Sequence, residues 1–112
     1  MAFSTALEVN SGIAKITLVG DLDAAAAPTF RDEIERVAAQ NAKRLVLMLK
    51  DLNYMASAGL RALVFAKQKM GAQVDIYMVE AQDSINETLE LTGFSNSVIS
   101  MPKYDAAVIE AP

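Results

Sequence analysis

The chain has no cysteine, no histidine and no tryptophan. Those absences exclude thiolate nucleophiles, zinc held by sulphur or imidazole, and any catalytic triad built on imidazole. A lack of cysteine also fits a reducing compartment. Basic residues are short as well: ten lysines and arginines stand against fourteen acids, for a net charge of −4. No stretch gathers the bases into one face, so the electrostatic footprint of a nucleic-acid binder is missing. Long hydrophobic runs are absent too. A run such as Leu45 to Leu49 falls far short of the roughly 18 apolar residues of a spanning helix, and no membrane insertion is expected. Met1 to Thr5 show neither a basic start nor an apolar signal core, which leaves a cytoplasmic location as the expectation. No phosphate-binding or dinucleotide glycine pattern occurs, and the residues call for neither a metal nor another cofactor.

What is present is a chain of 112 residues that is 53% hydrophobic and 21% charged. That length predicts one domain over 1–112, able to bury roughly two-thirds of the surface its unfolded chain exposes. Alternating Leu7 and Val9, turn chemistry at Asn10-Ser11-Gly12, then Ile13, Ala14, Ile16, Leu18 and Val19 read as a β-hairpin. Pro28 at a first-turn position opens Phe30, Ile34, Val37 and Ala38 at helical spacing. Leu45 to Leu49 is an unbroken apolar run of the kind a central parallel strand shows when both faces are covered. Asp51 to Ala56 break the pattern as a loop. Ser57 stands where an N-cap is expected before a helix carrying Leu60, Leu63, Val64, Ala66 and Met70 and ending near Gly71. Val74, Ile76 and Met78 form a strand, and Ser84 to Glu87 have capping-box spacing before a third helix closed by Gly93. Val98 and Ile99 suggest a short last strand, and Tyr104 to Ala111 a fourth helix. The order ββαβαβαβα predicts an α/β fold: a mixed, mostly parallel sheet of four to five strands with an N-terminal antiparallel hairpin and four helices. Met48, Met55, Met70 and Met78 fall at core-like positions.

In open α/β sheets functional groups gather beyond the strand carboxyl ends, here Asp21 and Asp23, the Asp51 to Gly59 loop, and Glu80 to Asp83. A serine at a helix start offers an accessible hydroxyl beside free backbone N–H groups, and Ala58-Gly59 permit close approach. Most serines in this place simply cap. Phe65 falls on the side of its helix away from Leu60, Leu63 and Ala66, beside Arg61. That places it either in a binding surface or against a neighbouring helix.

The stretch from Leu45 through Asp51-Leu52-Asn53-Tyr54-Met55-Ala56-Ser57-Ala58-Gly59-Leu60-Arg61 resembles the signature of STAS domains, the sulphate transporter and anti-sigma factor antagonist family. Gly20-Asp21-Leu22-Asp23 and Leu89-Glu90-Leu91-Thr92-Gly93-Phe94 resemble two further family segments, and the element order agrees across nearly the whole chain. The resemblance implies a switchable binding module rather than an enzyme. Free-standing bacterial members bind an anti-sigma factor that is also a serine kinase, release the sigma factor, and are inactivated when the signature serine, which matches Ser57, is phosphorylated. A serine phosphatase is a further candidate partner. Asp23, Ala56, Ser57, Ala58, Gly59, Arg61 and Phe65 are the expected partner-binding residues. Ala56 departs from the family pattern, which has Asp or, in some branches, Ser. Three rivals remain: a STAS-like accessory subunit of an ABC lipid transporter, a constitutive docking module, and a receiver domain holding magnesium through Asp21, Asp23 and Asp51.

Overall fold

The computed structural model describes residues 2–111. Strand β1 (Ser4–Asn10) turns at Ser11-Gly12 into β2 (Ile13–Leu22), and the two pair antiparallel. Helix α1 (Ala27–Ala39) follows, then β3 (Arg44–Met48), β4 (Leu52–Met55), α2 (Ser57–Met70), β5 (Asp75–Val79), α3 (Asp83–Thr92), a 3-10 turn at Phe94–Ser97, β6 (Ile99–Met101) and α4 (Ala106–Ile109). The sheet runs β1-β2-β3-β5-β6, with every pair after the hairpin parallel, and β4 pairs parallel with β2. Among the described residues the sheet thus has six strands, against the expected four to five. Leu45 to Leu49 lie at its centre, as their apolar run predicted.

The parity of β2 explains the layers. Ala14, Ile16, Leu18 and Leu22 are buried against Phe30, Ile34 and Val37 of α1 and Leu63 and Ala66 of α2, together with Leu45, Leu47, Ile76 and Met78. On the other face Val46, Tyr77 and Val79 are covered by Ile109 of α4, with Tyr104 and Met48 packed at the side. Met55 and Met78 are core residues, whereas Met48 and Met70 are half-buried.

One irregularity positions the site. Through Ile13 to Thr17, β2 pairs with β3; at Gly20 the register shifts, and the tail Gly20 to Leu22 pairs with β4 instead. Gly20 has φ +95°, a left-handed conformation that side chains disfavour, and its N–H donates to the Asp51 carbonyl at 3.0 Å. The bulge bends the tail of β2 toward the segment expected to be an irregular loop, and that segment becomes β4.

Two expected caps are absent. Helix α2 is preceded by Ala56 in extended conformation, without a side-chain cap, and Ser57 is its first helical residue. Ser84 is likewise inside α3, which follows Gln82 with no side-chain cap. The fourth helix is shorter than expected, spanning Ala106–Ile109, and is capped by Asp105 accepting from the Ala107 N–H at 3.1 Å.

Candidate functional site

The tail of β2 and the start of α2 are joined directly: the Ala56 N–H donates to the Leu22 carbonyl at 2.9 Å, and the Ala56 carbonyl accepts from Leu60 at 3.1 Å. This places Ala56 beside the Leu22-Asp23 segment. Ser57 then emerges at the first position of the helix, exposed, and its hydroxyl has no hydrogen-bond partner among the described residues.

The residues around it divide by role. Gly59 is buried, and a Cβ built there would lie 2.8 Å from Leu22 Cγ and 2.9 Å from Met55 Cγ. Its smallness therefore seats the first turn of α2 on side chains of the same chain, and it is not itself open to another protein. Asp23 is exposed, but its carboxylate accepts from the Ala26 N–H at 2.9 Å and its carbonyl from Ala27 at 3.0 Å. It organises the turn that leads into α1, whose N-cap position is Ala26. Ala56 and Ala58 are half-buried, and Arg61 is exposed one turn beyond Ser57. Phe65 is half-buried against the core, with the Arg31 guanidinium of α1 4.4 Å from its ring centroid. It joins two helices.

Two exposed apolar residues close to Ser57 in the sequence were not expected as site residues, and Val64 was read only as one of the apolar residues that mark the helix. Tyr54 on β4 is 53% exposed, and Val64 on α2 is 39% exposed. Val64 shares a helical face with Ser57 and Arg61, a spacing that could have found it. Tyr54 had no signal while Leu52 to Met55 were read as loop. Asn53 is tied to the next loop by the Gln82 side-chain amide, which donates to Asn53 Oδ1 at 3.3 Å. Among the described residues no group of three or more acidic side chains could hold a metal ion, and no helix is long and apolar enough to cross a membrane.

A second concavity lies at the opposite end of the sheet, where β2 and β3 begin. Its volume is about 520 Å³, and Glu8, Lys15, Lys43, Arg44, Tyr104 and Glu110 line it. Lys15 Nζ sits 4.3 Å from the Tyr104 ring centroid, and the Tyr104 hydroxyl donates to Glu110 at 2.6 Å. Burial, followed by that hydrogen bond and the charges of Glu110 and Glu8, raises the Tyr104 pKa to about 12. Arg44 donates to the carbonyls of Ile109, at 2.6 Å, and of Ala111, which holds the C-terminal segment on the sheet.

A family model described as the STAS domain matches residues 4–110. A protein of Bordetella bronchiseptica, BtrV, named as a candidate anti-sigma factor antagonist, is 33% identical over 69% of this chain and 67% of its own length. RsfB of Mycobacterium tuberculosis, named an anti-sigma-F factor antagonist, is 25% identical over 79% of this chain and 72% of its own. The crystal structure of an anti-sigma factor antagonist from Mycobacterium paratuberculosis superposes with a TM-score of 0.85 at 25% identity, covering 96% of this chain and 92% of that one.

Proposed function

Because the chain belongs to the STAS domain family, we propose that it is an anti-sigma factor antagonist whose binding is switched off by phosphorylation of Ser57. The observation that carries this reading is the Ser57 hydroxyl, exposed and without a partner at the start of α2, in a segment held by other atoms. The partner is an anti-sigma factor with serine kinase activity, and a phosphatase restores the hydroxyl. In the transfer, Ser57 Oγ takes the γ-phosphoryl group of ATP, ADP leaves, and the hydroxyl proton passes to a base on the kinase. Since base and magnesium belong to the kinase, the Ala56 that replaces the usual acid removes nothing chemically obligatory.

The switch is electrostatic and steric. A phosphate adds about −1.5 to −2 charges, which the start of a helix tolerates through its dipole while a docked surface meets repulsion and bulk. Tyr54, Arg61 and Val64 surround the modified position and form the surface that the partner meets. The names of BtrV and RsfB favour sigma-factor control over a lipid-transporter subunit. The receiver reading is not retained, because residues 4–110 align with another family and the Asp23 carboxylate is turned to the Ala26 N–H.

Pull-down with the unphosphorylated protein, followed by mass spectrometry, should capture a histidine-kinase-like ATP-binding protein; capture of an ABC ATPase instead would sink sigma control. Calorimetry with that partner should then show strong binding by the natural protein and by Ser57→Ala, and weak binding by the enzymatically phosphorylated form. Equal affinities would remove the switch.

A further inference from the structure

Ser57 and Arg61 lie four residues apart on α2, and both are exposed. That spacing puts them on one face, with Cβ atoms about 5–6 Å apart. Direction favours the pair: helical side chains lean toward the N-terminus, so the long Arg61 side chain covers the turn that holds Ser57. The arginines of the chain differ sharply in occupation. Arg31 lies over Phe65, Arg36 pairs with Glu33 at 2.8 Å, and Arg44 is bonded to the Ile109 and Ala111 carbonyls. Arg61 has no such partner among the described residues. The first turn of α2 contains no acid, and position 56 is alanine, so no neighbouring carboxylate on this segment competes for the guanidinium.

We infer that Arg61 is the intramolecular receiver of a phosphate on Ser57: its guanidinium folds one turn back onto the dianion and is thereby withdrawn from the surface a partner meets. The inference rests on Ser57 being the phosphoacceptor. A guanidinium takes a phosphate through two parallel charge-assisted hydrogen bonds, a geometry unavailable to the neutral hydroxyl. Phosphorylation thus changes the face twice, adding negative charge at Ser57 and cancelling positive charge at Arg61. Alanine at position 56 belongs to the same arrangement, since an aspartate there would repel the phosphate and compete for the arginine.

The test installs phosphoserine at position 57 by genetic encoding, so that no kinase is needed, and follows the phosphate by phosphorus NMR across pH. An unpaired phosphoserine has a second pKa of about 6. Pairing favours the dianion, so Arg61→Gln should raise the measured value by about 0.3 units or more, and Arg61→Lys by less. Lys69→Gln, about 18 Å along the helix axis, should leave it unchanged. An Arg61→Gln value equal to that of the natural sequence, or an equal rise in Lys69→Gln, would overturn the inference. Failure of the proposed switch is seen separately: phosphoserine-57 protein that still binds the captured partner with full affinity refutes the switch, whatever the titration shows.

Discussion

Gly59→Ala sets two well-characterised effects against each other. In an ordinary helix the change from glycine to alanine stabilises by about 0.5–1 kcal/mol, through lower chain entropy in the unfolded state. Gly59 has no unusual backbone angle to oppose it, and space decides the outcome. The added methyl would sit 2.8 Å from Leu22 Cγ, 2.9 Å from Met55 Cγ and 3.0 Å from Leu22 Cδ2. Leu22 is fully buried, and Met55 lies on the strand paired with it. The two shortest contacts are with Cγ atoms in the middle of buried side chains rather than with free chain ends, so Leu22 and Met55 must shift, and overpacking of this kind costs about 1–3 kcal/mol. The expected net result is a loss of about 1–2 kcal/mol, read as a lower urea midpoint at unchanged slope. Combining Gly59→Ala with Leu22→Ala supplies the internal control. With the leucine branch gone, the methyl has room, and the second substitution should cost less than it does alone. A more stable Gly59→Ala protein, or strict additivity with Leu22→Ala, would refute the idea that Leu22 sets the position of α2.

Four further outcomes follow from the same geometry. Leu47→Ala, at the fully buried centre of the sheet, should cost about 2–5 kcal/mol in urea unfolding. Ser57→Ala should change stability by less than about 0.5 kcal/mol, because the hydroxyl caps nothing; a loss near the 1 kcal/mol typical of a cap would contradict the structure. Arg44→Gln should speed amide exchange in Ala106–Ile109 while β3 stays protected, since the arginine holds the Ile109 and Ala111 carbonyls. The Tyr104 pKa is raised from 10.0 to about 12, so the folded state keeps a proton that the unfolded state loses. Its stability contribution is intact below pH 10 and is lost as pH rises toward 12. Tyr104→Phe should flatten that part of the alkaline unfolding profile, and an unchanged profile would assign the loss to other groups.

The sequence revealed elements that carry their own periodicity and concealed those defined by a neighbour. The central strand was legible in Leu45 to Leu49 because both of its faces are covered, and the hairpin because its side chains alternate around a turn. Strand β4 was not legible. Leu52 and Met55 are buried while Asn53 and Tyr54 are exposed, a pattern of no regular period. The segment is a strand only because the Gly20 bulge delivers the tail of β2 to it. The buried carboxylate of Glu33 was equally invisible; it is satisfied by the Thr5 hydroxyl at 3.0 Å and by Arg36, partners supplied by β1 and by the next turn of α1. Most of the site's residues were named from the motif, but the motif could not say which of them face outward.

That distinction changes how the site works. Spacing suggested that Ser57 caps α2, and a capping serine would be a poor switch, since modifying its oxygen would take the cap from the helix. In the structure the start of α2 is held by the Ala56 N–H on the Leu22 carbonyl, by the Ala56 carbonyl on Leu60, and by Gly59 seated against Leu22 and Met55. None of these contacts uses the Ser57 side chain. Asp23 is similarly engaged with Ala26, which leaves the outer side of the turn to Ser57, Arg61 and Val64 together with the neighbouring Tyr54. On the proposed reading, anchoring and signalling therefore use different atoms of the same short segment. A charge added at Ser57 can alter the outer face by its full magnitude while the anchoring contacts, and with them the fold, remain as they were.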